Sequence, residues 1–255
     1  MVLKNNFKKK YFYQETIMSK PVLVSIENHV ALITLNRPER RNAINQDLLI
    51  HLYNALEQLS LDDQLYVGVI TGNGPSFCSG LDLKVLKSDN LFNPRGDNKD
   101  LPDIIQACKK PIIGAINGHA ITGGFEIALN CDFLIASEKA SFADTHLKVG
   151  IHPGWGMTQH LQAAIGIRRA RQMSLTAQFI SAKQAYEWGL VNEVVPHDKL
   201  LDRALEIARQ IADVNQEMLP VVRSLIHYQN SHSFDDSFAH ERSGFKSFVQ
   251  QHLVV

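Results

Sequence analysis

The chain has 255 residues, 45% of them hydrophobic, which is enough to bury one sizeable core in one or two domains. Its 26 basic and 26 acidic side chains balance, so the overall charge gives no indication of nucleic acid or an anionic membrane surface as a partner. No apolar run approaches the about 18 residues of a membrane helix, and the spacing of Cys78, Cys108 and Cys131 matches neither a metal clip nor a disulfide framework, so we expect a cytoplasmic protein with reduced thiols.

The first segment of the chain, residues 1–18, is polar and contains a basic stretch at Lys8–Lys10. No apolar segment of about 7–15 residues follows this stretch, so the pattern does not indicate a secretory signal. A segment this polar has little to bury. We predict a disordered tail or a misplaced start, since Met18 would be a natural first residue.

A strand pair and a helix come next. Two short strands are predicted at 22–26 and 30–35, joined by a tight turn at Asn28-His29. Asn45 can cap a helix, because apolar residues then recur at helical spacing, namely Leu48, Leu49, Leu52, Ala55, Leu56 and Leu59.

Strands and helices continue to alternate up to about residue 195. Further strands are predicted at 67–71, 111–117 and 133–136, and short helices at 101–108 and 125–130. Three segments are predicted as loops or turns: 72–80, 87–100 (expected to be mobile) and 118–124. The chain is mostly helical from Asp198 onward. This alternation favours an α/β core (residues 19–195) followed by a C-terminal helical region (196–255).

Two glycine-rich loops share one design, because each follows a buried strand and leads toward a helix. They are Phe77–Asp82 and Ile121–Glu126. Such loops can direct bare backbone N–H groups at one point, and two converging donors form an oxyanion hole. A pair of ordinary tight turns is the alternative interpretation of the same spacing.

Two side chains are candidates for acid–base chemistry. Glu126 lies in the first helical turn after Gly123-Gly124, where it is either a partner of the helix dipole or a general acid or base. His146 is one of 11 histidines and is either a structural hydrogen-bonding group or a proton-transfer group. Asp144 either orients His146 or shapes the turn.

Several short motifs occur together in one order. They are Asn36-Arg37-Pro38, Asn42-Ala43, Phe77–Asp82, Lys110–Gly118, Gly123–Glu126, Cys131-Asp132, Gly150–Gly154 and Gly189-Leu190-Val191. In this order and spacing they resemble the enoyl-CoA hydratase/isomerase, or crotonase, superfamily. The resemblance runs from about Pro21 to the C-terminus, which is nearly the whole chain.

The resemblance implies a fold, a ligand and an assembly. The fold would be a crotonase-like spiral of ββα units, with the C-terminal helices forming a homotrimer or, when two trimers stack, a hexamer. The substrate would be an acyl-CoA thioester that itself carries the coenzyme A, with no metal and no redox cofactor.

The resemblance also implies roles for four residues. The backbone N–H groups of Ser79 and Gly123 would form the oxyanion hole, and Glu126 would be the first of two catalytic glutamates. The second glutamate of the family's hydratases falls on His146, which is a departure from the pattern. An unperturbed imidazole titrates near about pH 6.5 and can give or take a proton at neutral pH, so Glu126 and His146 remain a sensible acid–base pair.

The expected reaction is hydration of a trans-2-enoyl-CoA, and several alternatives stay open. The same oxyanion hole serves double-bond isomerases, C–C lyases and thioesterases. A non-catalytic acyl-CoA binding protein is a further alternative. A serine hydrolase is disfavoured because the sequence lacks a G-x-S-x-G elbow. Trp155 either walls the acyl pocket or is ordinary packing.

Overall fold

The computed structural model describes residues 20–253, so the predicted tail at 1–18 lies outside the described residues. Within this range no helix combines the length and apolarity needed to cross a membrane.

The strands of the described chain are numbered in sequence order. They are β1 (Val22–Glu27), β2 (Val30–Leu35), β3 (Val67–Gly72), β4 (Ser76–Cys78), β5 (Ile112–Ile116), β6 (His119–Ile121), β7 (Phe133–Ser137), β8 (Ser141–Ala143), β9 (Phe179–Ser181) and β10 (Glu193–Val195).

The helices are numbered in the same way. They are α1 (Gln46–Leu61), α2 (Leu101–Ala107), α3 (Gly123–Leu129), α4 (His146–Val149), α5 (Met157–Ile165), α6 (Ile167–Thr176), α7 (Ala182–Glu187), α8 (Leu200–Ala212), α9 (Met218–Tyr228) and α10 (Phe234–His252). Short 3-10 turns lie at Pro38–Arg40 and His197–Lys199.

The strands form two sheets. The large sheet has the order β1-β2-β3-β5-β7-β10, with β1 antiparallel to β2 and the remaining neighbours parallel. The small sheet has the order β4-β6-β8-β9 and is parallel except for β8 with β9. Each of β3, β5 and β7 is followed at once by a strand of the small sheet, so the chain winds repeatedly from one sheet to the other. The expected crotonase-like α/β fold is therefore confirmed.

The small sheet is the main difference from the sequence-based elements. Its strands β4 and β6 lie inside the segments predicted as turns, 72–80 and 118–124. These strands have three residues each, too few to show an alternating apolar pattern.

Both faces of the large sheet are covered. One face packs on α1, which begins where predicted, because the Asn45 side chain accepts a hydrogen bond from the Leu48 N–H at 3.0 Å. The other face packs on α8 through a separate apolar cluster whose members are Val30, Val67, Val69, Ile113, Ala115, Ile135, Leu200, Ala204 and Ala208. Burial on both sides explains why β3 and β5 are almost continuously apolar.

The chain divides into two compact units after Ala212. Helix α8 belongs to the first unit because it packs on the sheet, so this division lies beyond residue 195, where the sequence-based domain boundary was set. In the second unit the ring of Tyr228 stacks on the rings of His232 and His240, with centroid distances of 3.7 and 4.2 Å.

The irregular segment 87–100 is anchored to α1. The Arg95 guanidinium lies 2.6 Å from both a Glu57 and an Asp97 carboxylate oxygen, and it stands over the Tyr53 ring at 5.5 Å. These contacts argue against the mobility expected from the segment's polar composition.

Candidate functional site

The two glycine-rich loops meet because the strands before them, β4 and β6, are neighbours in the small sheet. A Cβ atom on Gly124 would lie 2.2 Å from the carbonyl oxygen of Cys78, so only glycine allows this approach. Gly80 has a φ of +89°, and a Cβ on it would lie 2.9 Å from the carbonyl oxygen of Ile121. Glycine is therefore needed on both sides of the contact.

The first of the two predicted donors is the N–H of Gly123. Gly123 is the first residue of α3, where backbone N–H groups lack partners within the helix. Gly80 approaches so closely that a Cβ on it would lie 3.5 Å from the Gly123 nitrogen.

The other predicted donor, the N–H of Ser79, is already engaged, since it donates to the carbonyl oxygen of Arg41 at 3.1 Å. The next N–H in the chain that can face Gly123 is that of Leu81. Ile44 donates to Gly80 and accepts from Asp82, both at 2.8 Å, so the N–H of Leu81 points to the opposite side. No acceptor among the described residues bonds to it. The geometry therefore favours Leu81 over Ser79.

Glu126 is held with one carboxylate oxygen fixed. Its side chain is buried, and Oε1 accepts from the backbone N–H groups of Trp155 at 2.8 Å and Met157 at 3.2 Å. Asn130 supports this arrangement, because its side-chain amide donates to the Trp155 carbonyl oxygen at 2.8 Å. Burial raises the pKa of Glu126 despite these two donors, so this carboxyl group holds a proton more readily than an exposed one.

His146 lies opposite the second oxygen of Glu126. Its Nε2 atom is 3.7 Å from Oε2 of Glu126, and its Nδ1 atom is 2.7 Å from Oδ1 of Asp144. Burial alone would raise the pKa of Asp144, but hydrogen bonds from His146 and Ser174 outweigh burial and hold that pKa below its usual range. The pairing of β6 with β8, extended by the hydrogen bond between the Thr122 N–H and Ala143, brings His146 beside α3.

Apolar side chains surround the Gly123 donor. A Cβ on Gly123 would lie 3.2 Å from Ile44 Cδ1, 3.4 Å from Trp155 Cζ3 and 3.7 Å from Leu81 Cδ2. Trp155 is buried, and its Nε1 has no hydrogen-bond partner among the residues that the structure describes. These contacts place Trp155 at the site rather than in a remote part of the core.

The structure thus brings Gly123, Glu126 and His146 together, whereas the Ser79 N–H turns to Arg41. Sequence reasoning missed Leu81 and the backbone donors of Trp155 and Met157. Side-chain identity carries no signal for a backbone donor. Strand alternation gave no signal either, because residues two apart in an extended segment, such as Ser79 and Leu81, are expected to point their N–H groups to the same side.

Within residues 20–253, no three His, Cys, Asp or Glu side chains are grouped so that they could hold a metal ion.

Comparisons with known proteins all indicate the same family. The model of the family described as enoyl-CoA hydratase/isomerase matches residues 25–254. A protein described as a probable peroxisomal enoyl-CoA hydratase 1 of Arabidopsis thaliana is 43% identical over 202 residues, which cover 77% of this chain and 74% of that protein. The 2,3-dehydroadipyl-CoA hydratase of Escherichia coli K12 is 37% identical over 225 residues, or 88% of both chains.

Solved structures agree with these relatives. An enoyl-CoA hydratase subunit I of Geobacillus kaustophilus superposes with a TM-score of 0.83 at 29% identity and covers 90% of both chains. An enoyl-CoA hydratase of Mycobacterium paratuberculosis superposes with a TM-score of 0.75 at 42% identity, covering 91% of this chain and 98% of that one. The chain therefore belongs to the enoyl-CoA hydratase/isomerase family.

Proposed function

We propose that this protein is an enoyl-CoA hydratase, a lyase that adds water across the double bond of a trans-2-enoyl-CoA thioester. The observation that carries the proposal is the buried Glu126–His146 pair, whose facing atoms are 3.7 Å apart beside two backbone donors. The relatives described as hydratases support the same reaction.

The thioester oxygen would bind at the N–H groups of Leu81 and Gly123. As the water oxygen bonds to Cβ, the double-bond electrons move toward the thioester and its oxygen becomes an enolate oxygen. Two N–H groups fixed in advance stabilise this charge where it forms, and they need no reorganisation during the reaction. Leu81 replaces Ser79 in this role because the Ser79 N–H is bonded to Arg41.

The acid–base pair would account for both protons. Glu126 uses Oε2 to orient the water and takes one of its protons, while Oε1 stays bonded to Trp155 and Met157. Cationic His146 gives a proton to Cα, which completes the addition of H and OH. The proton on Glu126 then returns to His146, and the pair is restored. A Glu/His pair also avoids holding two like charges side by side.

The coenzyme A would be carried by the substrate, and no metal or redox cofactor takes part in these steps.

We further propose a homotrimer or a hexamer in the cytoplasm. Exposed apolar side chains on the C-terminal helices support association, among them Val221, Val222, Ile226, Phe234 and Phe245. Sedimentation of the purified protein tests the assembly. Imaging of the tagged chain tests the location, since relatives are described as peroxisomal and mitochondrial.

The decisive experiment follows the absorbance of the conjugated thioester with a short and a long trans-2-enoyl-CoA. Rapid loss of absorbance, with formation of the 3-hydroxyacyl-CoA, is the expected result. Acyl-CoA binding with no hydration of either substrate would contradict the proposal and favour an isomerase, a C–C lyase or a thioesterase of the same family.

A further inference from the structure

Asp144 makes a hydrogen bond that determines which ring nitrogen of His146 carries a proton. Asp144 Oδ1 lies 2.7 Å from Nδ1 of His146, and both side chains are almost fully buried. An ionised carboxylate can only accept, so the proton of this bond belongs to Nδ1. Nε2 is then left as the nitrogen that faces Glu126 and exchanges protons.

Asp144 is itself held in place from a second element. Ser174 of α6 hydrogen-bonds to the Asp144 side chain, and Oδ1 also accepts from the backbone N–H of His146 at 3.2 Å. Hydrogen bonds of this kind fix the angle of a carboxylate and, through it, the plane of the imidazole ring.

The charged surroundings of His146 are simple. Among residues 20–253, the carboxylates within 4 Å of its ring nitrogens are Asp144 on one side and Glu126 of α3 on the other. Helix α6, which packs against α4, reaches Asp144 through the neutral Ser174. A change of charge at residue 144 therefore acts directly on the pair.

We propose that Asp144 is a positioning residue, which holds His146 in the Nδ1–H tautomer so that Nε2 serves the reaction at Glu126. This inference rests on the proposed hydratase function for its kinetic consequence. The tautomer itself can be measured without substrate.

The test is Asp144→Asn in the full chain. Asparagine keeps the oxygen that accepts from the His146 N–H, so a purely turn-forming role of Asp144 would survive the change. The charge would be lost, and the amide could equally donate to the ring. We expect kcat to fall about 100-fold or more, with KM for the enoyl-CoA nearly unchanged, since residue 144 does not touch the thioester. The pH–rate profile should change as well, because the negative charge beside the acid–base pair is lost.

The matched control is Asp132→Asn, which also replaces a carboxylate by its isosteric amide. Asp132 accepts a hydrogen bond from the N–H of Ile112, the first residue of β5, at 2.8 Å. The pH–rate profile of Asp132→Asn should therefore stay as in the wild type. Ser174→Ala, which keeps the carboxylate but removes one support, should lower kcat less than Asp144→Asn.

Nitrogen-15 NMR of the imidazole rings gives a readout that does not depend on activity, with His146→Gln used to assign the His146 signals. The wild type should show the Nδ1–H tautomer for neutral His146, and Asp144→Asn should show a mixture or the opposite tautomer.

An Nε2–H tautomer in the wild type, or full activity with an unshifted pH profile in both Asp144→Asn and Ser174→Ala, would overturn the inference. If Asp144→Asn did not fold, the wild-type tautomer and Ser174→Ala would decide it. A wild type that hydrates no enoyl-CoA would contradict the proposed function, and the tautomer would still decide the role of Asp144.

Discussion

Nε2 of His146 faces Oε2 of Glu126 across 3.7 Å, with both side chains buried. This separation is too long for a good direct hydrogen bond, but a water oxygen can lie about 2.8 Å from both atoms at once. The outer oxygen of Glu126 is the one that faces His146, because the other oxygen is bonded to Trp155 and Met157. This geometry supports the proposed role of the pair, which is to hold and deprotonate a water molecule.

Removal of the Glu126 carboxylate should abolish hydration. Glu126→Gln keeps the size of the side chain and one acceptor oxygen but cannot take a proton from water. The value of kcat should therefore fall by about 10²–10⁴-fold. Loss of absorbance of a trans-2-enoyl-CoA measures this rate. Glu138→Gln, at an exposed position, is the control and should be fully active. Activity of Glu126→Gln within a few-fold of the wild type would exclude Glu126 as the base.

A glutamate at position 146, which the resemblance implies for the family's hydratases, should function poorly in this site. His146→Glu would add a third buried carboxyl group beside those of Asp144 and Glu126, and like charges oppose the ionisation that a base needs. We expect His146→Glu to be less active and less stable than the wild type. Adding Asp144→Asn to His146→Glu should recover part of both losses.

A double-mutant cycle on residues 144 and 146 measures this coupling through kcat and Tm. Additive effects of the two substitutions would show that the two sites are independent and would contradict the charge argument.

The pH dependence of stability should report the burial of Glu126. Burial raises the pKa of Glu126 above its ordinary value of 4.5, so the folded state binds a proton that the unfolded state has released. The stability of the wild type relative to Glu126→Gln should therefore be greatest below pH 4.5 and decline as the pH rises through the folded pKa. Denaturant midpoints of both proteins between about pH 4 and pH 8 measure this difference. A difference independent of pH would mean that Glu126 ionises as freely in the folded protein as in the unfolded one.

The contact between the two glycine-rich loops should not tolerate a methyl group. In Gly124→Ala the new Cβ would lie 2.2 Å from the Cys78 carbonyl oxygen, and backbone must move to relieve the clash. We expect a loss of about 1–3 kcal/mol or more in the free energy of unfolding, together with a loss of activity as the Leu81 and Gly123 donors separate.

Gly244→Ala is the matched control for this substitution. Gly244 is also helical, but its added Cβ would meet no atom within 4 Å among the described residues outside its own stretch of helix, so alanine should stabilise α10 by up to about 1 kcal/mol. Thermal and denaturant unfolding of both variants gives the comparison. Equal effects of the two substitutions would contradict the close approach at Gly124.

Local patterns predicted a large part of the fold. The Asn45 cap and the apolar spacing after it predicted α1, and the apolar runs predicted β3, β5 and β7 with ends within one residue of those found. These features depend on neighbours in the sequence, so periodicity reveals them. The strands β4 and β6 were predicted as turns because three residues carry no period.

The candidate site also has features that the sequence predicted and features that it did not. The sequence by itself determined the residue types of the proposed acid–base pair, Glu126 and His146, and the glycines that let two loops approach each other. Only the tertiary structure decided that Leu81 rather than Ser79 offers a free N–H, that Trp155 and Met157 fix one oxygen of Glu126, and that Asp144 fixes one nitrogen of His146. The physical reason is that backbone donors are alike at every residue, and their direction depends on pairing with segments far away in the chain.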